Sequence, residues 1–221
     1  RLIVAGGDED QLGALIAQAD TSLAAADTHA DEACFWLYSS GSTGRPKGTV
    51  HVHASLRQTA TLYAGPVLGL SADDRVFSAA KLFFAYGLGN ALSFPLSVGA
   101  TTLLMAGRPT PEAIFSRLQS FQPTVFYGVP TLYAGLLASP NLPDPTSLHL
   151  RRCTSAGEAL PEDIAKRWRA HFGVDILDGI GSTEMLHIFL SNRTDDLRFG
   201  TTGKAVPGYE LRIVDDNDQT V

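Results

Sequence analysis

The chain has 221 residues, 44% of them hydrophobic and 18% charged, which suits one domain or two small ones with a substantial buried core. Its formal charge of −6 and lack of any Lys/Arg cluster give no nucleic-acid surface. They do not exclude nucleotide binding, because a few backbone amides and one lysine can hold a triphosphate.

Arg1-Leu2-Ile3-Val4 reads as a strand already under way, with no signal peptide. The apolar run Ala33-Cys34-Phe35-Trp36-Leu37-Tyr38 is the next strand and stops at a Ser/Gly/Thr loop. A helix is expected from about His53, with Leu56, Thr59, Leu62 and Tyr63 at helical spacing. Arg75 to Ser78 and Thr101 to Met105 read as strands. Between them, Leu82 to Ala106 carries no formal charge and is long enough to cross a bilayer. Gly87, Gly89, Pro95 and Gly99 interrupt it, so it reads as loop, helix, turn and strand of a buried α/β element.

Thr110-Pro111-Glu112 is a helix start, with Ile114, Phe115 and Leu118 on the inner face. Thr124 to Tyr127 is a strand, and Pro130 opens the helix after it. From Pro161 to about Phe172, Leu160, Ile164, Trp168 and Phe172 recur on one face, acids fill the first turn, and Gly173 follows. Val174 to Leu177 is then a strand leading into Asp178-Gly179-Ile180-Gly181, and the last eleven residues read as strand, turn and strand. The alternation predicts a mostly parallel sheet with helices on its faces, and ligands beyond the carboxyl ends of its strands. A chain that begins and stops inside secondary structure reads as a fragment. Cys34 and Cys153 sit in apparent strands without metal-ligand spacing and read as buried thiols of a reducing cytoplasm.

The most informative segment is Ser39-Ser40-Gly41-Ser42-Thr43-Gly44-Arg45-Pro46-Lys47-Gly48. Its small residues let backbone amides approach phosphate oxygens, and Lys47 can offset their charge. The commonest phosphate loop, G-x-x-x-x-G-K-[ST], does not fit, since Pro46 falls where glycine is needed and Gly48 where a hydroxyl is needed. The ten residues resemble the phosphate loop of the adenylate-forming superfamily, which includes acyl- and aryl-CoA ligases, luciferases and peptide-synthetase adenylation domains. Three later segments agree in order: Ser155-Ala156-Gly157-Glu158-Ala159-Leu160-Pro161, Asp178-Gly179-Ile180-Gly181-Ser182-Thr183-Glu184, and Gly200 to Gly208. Taken singly, the first also suits a plain strand-to-helix turn and the second a helix N-cap.

The resemblance implies part of the N-terminal domain of such an enzyme. Ser39, Ser40, Gly41, Ser42, Thr43, Gly44 and Lys47 would hold the phosphates of ATP, and Gly157, Glu158 and Ala159 would lie along adenine and ribose. Asp178, Gly179, Ile180, Gly181, Ser182 and Thr183 would complete the nucleotide site. In that set Asp178 would accept from the adenine amine, and Ile180 stands where the family has an aromatic. Thr183 would meet the α-phosphate and Glu184 would hold magnesium, making Lys47, Thr183 and Glu184 the catalytic set.

Phe83-Phe84-Ala85-Tyr86-Gly87-Leu88-Gly89-Asn90 and Met185-Leu186-His187-Ile188-Phe189 would form facing walls of an acid pocket. This pairing resembles benzoate–CoA ligases, in which Ala85, Tyr86, Gly181, His187 and Ile188 would line the ring. Phe83, Phe84 and Phe189 also suit a core, and His187 a packed histidine.

The implied activity is an ATP-dependent aryl-acid (benzoate) CoA ligase with magnesium, and coenzyme A as co-substrate. Residues 1–221 would be an incomplete AMP-binding domain lacking its C-terminal lid, and inactive or nearly so alone. The expected setting is cytoplasmic, without membrane or nucleic acid, and with a homodimer open to the full-length enzyme. A fatty-acyl ligase, a free-standing adenylation domain and a non-catalytic nucleotide-binding remnant are the alternatives.

Overall fold

The structure, a computed structural model, describes residues 5–6, 11–40 and 44–221. The strand expected at Arg1 to Val4 and three residues of the phosphate loop, Gly41, Ser42 and Thr43, lie outside the described residues.

In chain order, α1 (Gln11–Gln18) precedes a hairpin of β1 (Ala33–Ser39) and β2 (Lys47–Val52), which runs straight into α2 (His53–Thr59). A π-helical turn, Ala60–Ala64, continues α2. Then come β3 (Arg75–Ser78), α3 (Ala85–Leu88), a second π-helical turn at Gly89–Ser93, α4 (Phe94–Val98) and β4 (Thr101–Leu103). After them follow α5 (Pro111–Phe121), β5 (Val125–Gly128), α6 (Pro130–Ala138), β6 (Arg152–Ser155), α7 (Glu162–Phe172) and β7 (Ile176–Gly181). Two short strands, β8 (Ile188–Ser191) and β9 (Lys204–Ala205), complete the set.

The fold is α/β. β1 and β2 pair antiparallel as a separate two-stranded sheet. The other strands form a seven-stranded sheet in the order β4-β3-β5-β6-β7-β8-β9. It is parallel from β4 to β7 and antiparallel from β7 onward. Both faces of the parallel part are covered, as crossover helices require. On β3 and β5 the alternation of side chains sorts the core: Phe77 and Phe126 pack with Trp168, Tyr133 and Ile114 of α5, α6 and α7. Val76, Val125 and Tyr127 point the other way, toward Tyr63, Leu68 and Phe94. Each such fully buried aromatic or aliphatic side chain contributes about 2–3 kcal/mol.

The expected helix ends are present. Thr110 accepts from the Ala113 amide with Pro111 next in line, and Gly173 closes α7 at φ +69°. At the amino ends of the parallel strands, Asp74 accepts from Arg151 Nε and Nη2 (2.8 and 2.6 Å), from Thr124 Oγ1 (2.6 Å) and from the Ser71 amide (2.9 Å). Burial alone would raise its pKa, but these donors hold it at about 2. This clamp pins three strand starts at the end opposite the site.

Several sequence expectations need correction. The segment Asp178 to Gly181 belongs to β7 itself, because Gly179, Ile180 and Gly181 pair with β8. The strand expected over Thr101 to Met105 stops at Leu103, and the Met105, Ala106 and Gly107 carbonyls accept instead from the Lys81 ammonium. Cys153 is buried, whereas Cys34 is half-buried; both are free thiols. Among the described residues no helix is long and apolar enough to cross a membrane, and the Leu82 to Ala106 stretch folds into two short helices, a π-turn and β4.

Candidate active site

The carboxyl ends of β3, β5, β6 and β7 open on one side of the sheet, and the predicted site segments follow β3, β6 and β7 there. A cavity of about 200 Å³ lies among Phe84, Ala85, Tyr86, Ala156, Gly157, Gly181, Ser182, Thr183, His187 and Ile188. All five residues expected to line an acid pocket are in this wall, beside Gly157, Ser182 and Thr183 of the expected nucleotide set. A second, almost wholly apolar cavity of about 450 Å³ shares Phe84, Tyr86, Ala156 and Gly157 with it. An open groove of about 700 Å³ between residues 28–30 and α2 holds none of the predicted site residues.

His187 forms the floor. It is 3% exposed, and its ring stacks on Tyr86 at 5.5 Å and lies 4.5 Å from Phe94 and 5.1 Å from Tyr63. Burial drives its pKa down to about 3, so the ring is neutral. Asn90 Oδ1 lies 3.1 Å from Nε2 and can only accept, which places the proton on Nε2. His187 is therefore both a packed histidine and pocket wall. Tyr86 is fixed through its hydroxyl, 2.6 Å from Thr154 Oγ1. The π-helical turn at Gly89 brings backbone close under the imidazole, since a Cβ at Gly89 would lie 2.5 Å from His187 Cδ2. Phe83 and Phe84 are not core: they are 71% and 57% exposed, and Phe84 borders both cavities.

Thr183 is half-buried and Glu184 exposed, on a tight turn after β7. Ser182 Oγ accepts from the Met185 amide (3.2 Å), and the Thr183 carbonyl accepts from the Leu186 amide (3.2 Å). Leu186 closes the turn in the left-handed region, φ +65°, a strained conformation for a branched side chain that its burial offsets.

The β1–β2 hairpin, which flanks the expected phosphate loop, reaches this turn. His51 on β2 is 4% exposed and sits 2.9 Å from the Thr183 carbonyl through Nε2. Lys47, four residues back along β2, is on the same face by strand alternation and is exposed, as are Ser40 and Gly44; Ser39 pairs with Lys47 and is half-buried. Lys47 and Glu184 thus belong to elements that touch, on one side of the fold.

Gly157, Glu158 and Ala159 are exposed at the end of β6, with Gly157 at φ +97°, where only glycine is unstrained. Ile180 is 46% exposed on β7 and presents an apolar surface. Asp178 turns inward: it is 4% exposed and Oδ2 accepts from the Leu160 amide at 3.3 Å, which ties the 157–160 turn to β7. Burial raises its pKa to about 6. Among the described residues no group of three or more His, Cys, Asp or Glu side chains is arranged to hold a metal.

Nothing in the sequence singles out His51, and Asn90, Ala156 and Leu186 stand inside the quoted wall and turn segments without a contact of their own expected. Asn90 stands in the quoted pocket segment, but its partner is 97 residues away and carries no local signal.

A separate hairpin leading a parallel sheet, with a pocket framed by the ends of β3, β6 and β7, is the layout of an adenylate-forming domain. The family model for the AMP-binding enzyme matches residues 2–221, and the chain belongs to that family. Among its relatives, the benzoate–CoA ligase of Thauera aromatica is 66% identical over 217 residues, 98% of this chain and 41% of that protein. The 4-hydroxybenzoate–CoA/benzoate–CoA ligase of Rhodopseudomonas palustris is 49% identical over 230 residues, 100% of this chain and 42% of that protein. The crystal structure of a benzoate CoA ligase from Burkholderia xenovorans LB400 superposes with a TM-score of 0.94 at 59% identity, covering all of this chain and 44% of that one. The chain therefore spans about two fifths of the length of the curated relatives it matches.

Proposed function

We propose that this chain is part of the adenylation domain of an aryl-acid CoA ligase, with benzoate as the preferred acid. The reading rests on one observation above all: Ala85, Tyr86, Gly181, His187 and Ile188 meet around a single cavity of about 200 Å³ that also touches Gly157 and Thr183. An apolar cavity of about 150 Å³ already admits benzene, so this space suits one aromatic ring and little more. A neutral His187 stacked on Tyr86 gives the ring flat surfaces and adds no charge to attract a second carboxylate. A medium-chain acid would have to leave this space and run on into the adjoining apolar cavity of about 450 Å³.

In the first step a carboxylate oxygen of the acid attacks the α-phosphorus of ATP, the bond to the β-phosphate oxygen breaks, and pyrophosphate leaves. The residues' work is positioning and offsetting charge. Lys47 and the amides of residues 39–44 hold the phosphates, and Thr183 meets the α-phosphate. Gly157, Glu158, Ala159 and Ile180 flank adenine and ribose. Asp178, with Gly179 and Ser182, acts from behind by fixing the turns that bear those contacts. The exposed carboxylate of Glu184 would hold a magnesium ion, a hard cation that one carboxylate and substrate phosphates suffice to bind. When bound, that ion supplies charge neutralisation of the phosphate oxygens.

In the second step the sulfur of coenzyme A attacks the acyl carbonyl and AMP leaves. The adjoining 450 Å³ cavity meets the acid pocket at Phe84, Tyr86, Ala156 and Gly157 and is an apolar approach for the thiol arm. The chain spans about two fifths of its curated relatives, and turnover, in a cytoplasmic setting, is proposed for the whole protein that carries it.

The test is ATP–pyrophosphate exchange by the intact protein carrying this chain, with benzoate, hydroxy- and aminobenzoates, and medium-chain fatty acids. Benzoate is expected to give the highest kcat/KM. Exchange with fatty acids alone, or with no acid at all, overturns the proposal.

A further inference from the structure

We propose that His51 is a positioning residue that locks the Thr183–Glu184 turn to the phosphate-loop hairpin, and so sets where the phosphate end of a magnesium nucleotide is held. This rests on the functional reading above for its ligand, but the lock itself is a feature of the geometry. β1 and β2 form a sheet of their own, with no backbone ladder to the seven-stranded sheet. A two-stranded hairpin is marginal by itself, and its outer side chains Trp36, Tyr38 and Val50 are more than half exposed. Among the described residues, the one side-chain hydrogen bond joining the hairpin to the large sheet's loops is His51 Nε2 to the Thr183 carbonyl, 2.9 Å.

That carbonyl can only accept, so Nε2 carries a proton and donates. The same carbonyl closes the turn by accepting from the Leu186 amide. One oxygen therefore serves both the internal closure of the turn and its attachment to the hairpin. The His51 ring is held in turn by Phe35, its cross-strand partner, with centroids 5.2 Å apart.

Lys47 lies roughly 13 Å further along the same strand face. Sliding or lifting the hairpin relative to Thr183 would move Lys47 and Glu184 apart, while Tyr86, His187 and Ile188, which frame the ring end of the acid pocket, keep their own packing. The lock thus acts on nucleotide geometry first.

The experiment uses His51→Phe, which keeps the ring but not the donor, and His51→Gln, whose amide nitrogen reaches the Nε2 position. Both are made in the intact protein carrying this chain. Magnesium–ATP affinity is measured by calorimetry, the KM for benzoate by pyrophosphate exchange, and amide exchange over residues 183–186 by NMR or mass spectrometry. His51→Phe is expected to weaken magnesium–ATP binding about tenfold, the loss of one well-placed hydrogen bond, and to speed exchange of the turn amides. The KM for benzoate should stay within about twofold, and His51→Gln should recover most of both losses. Equal behaviour of the Phe and Gln variants, or a benzoate KM that rises as much as the nucleotide constant, overturns the proposal. If the unaltered protein exchanges pyrophosphate with no acid, the ligase reading fails while nucleotide affinity and amide exchange still decide the lock.

Discussion

Gly89→Ala isolates the link between the π-helical turn and the acid pocket. Gly89 has φ −62° and ψ −59°, so its backbone accepts alanine, and helix propensity alone would favour the change by about 1 kcal/mol. Contact decides otherwise. The added methyl would lie 2.5 Å from His187 Cδ2, 2.9 Å from Nε2 and 2.9 Å from Phe94 Cζ. Carbon atoms need about 3.5–4 Å, so the imidazole must retreat by ~1 Å. Tyr63, Tyr86 and Phe94 already crowd the ring, and the open direction is the cavity of about 200 Å³. The shift also strains the 3.1 Å contact with Asn90. Overpacking of this kind costs about 1–3 kcal/mol. We expect the KM for benzoate to rise about tenfold, worth ~1.4 kcal/mol, and the melting temperature to fall by about 4–8 °C. The KM for ATP should change less than about twofold. Steady-state pyrophosphate exchange with each substrate varied, plus a thermal melt, reads all three. An unchanged benzoate KM would refute the reasoning, and so would equal rises in both KM values, which mark general damage.

Other substitutions separate charge from shape. Lys47→Met should raise the KM for ATP at least about tenfold through loss of a phosphate counter-charge, with the acid KM unchanged. Glu184→Gln should raise the magnesium concentration for half-maximal exchange, read by magnesium titration at fixed ATP; insensitivity to magnesium would remove Glu184 from the site. For Asp178 the folded pKa, about 6, stands above the ordinary 3.8 because burial penalises the carboxylate. Its contribution to stability is complete below about pH 4 and is lost as pH rises through 6. Asp178→Asn keeps an acceptor for the Leu160 amide without the charge. Its melting temperature should match the unaltered protein below pH 4 and exceed it by an increasing margin to pH 7, an advantage of about 3 kcal/mol. A margin independent of pH would show that the carboxylate is not the cause.

The parallel core was legible because its signals are local. Thr110-Pro111-Glu112 sets a cap, a fixed φ and a favourable dipole contact within three residues, and α7 carries its buried stripe and its closing glycine in one stretch. The pocket walls were legible for a different reason: the segments resemble a family, and the fold then brings Ala85 and His187 together from 102 positions apart. What remained hidden has no local signal. β2 carries glycine, threonine and two valines around a histidine, a weak strand pattern that forms because β1 pairs with it. The glycines of Asp178 to Gly181 suggested a loop, yet they are there to let β8 pass. A Cβ at Gly179 would lie 2.9 Å from Ile188 Cγ2, and one at Gly181 would lie 2.5 Å from the His187 carbonyl oxygen. Glycine in this strand marks close approach, not flexibility.

That close approach would let one short segment serve the two ligands proposed for it. β7 is hemmed by β6 on one side and by β8 on the other, so Gly181 cannot shift without moving the His187 backbone. Immediately beyond it, Ser182 to Leu186 folds back in a turn whose strain is stored at Leu186 and whose outer oxygen is held by His51. Gly181, Ser182 and Thr183 line the pocket, and Glu184 follows them, exposed, on the same turn. On the proposed reading, a ring seated against Tyr86 and His187 would point its carboxylate along the same few residues proposed to bear the phosphate contacts, and a rigid turn would hold acid and nucleotide together. A substitution that loosens the turn while sparing both ligand contacts, Leu186→Ala, should therefore reduce kcat for exchange more than it raises either KM. A loss confined to one KM would show that the turn serves a single ligand.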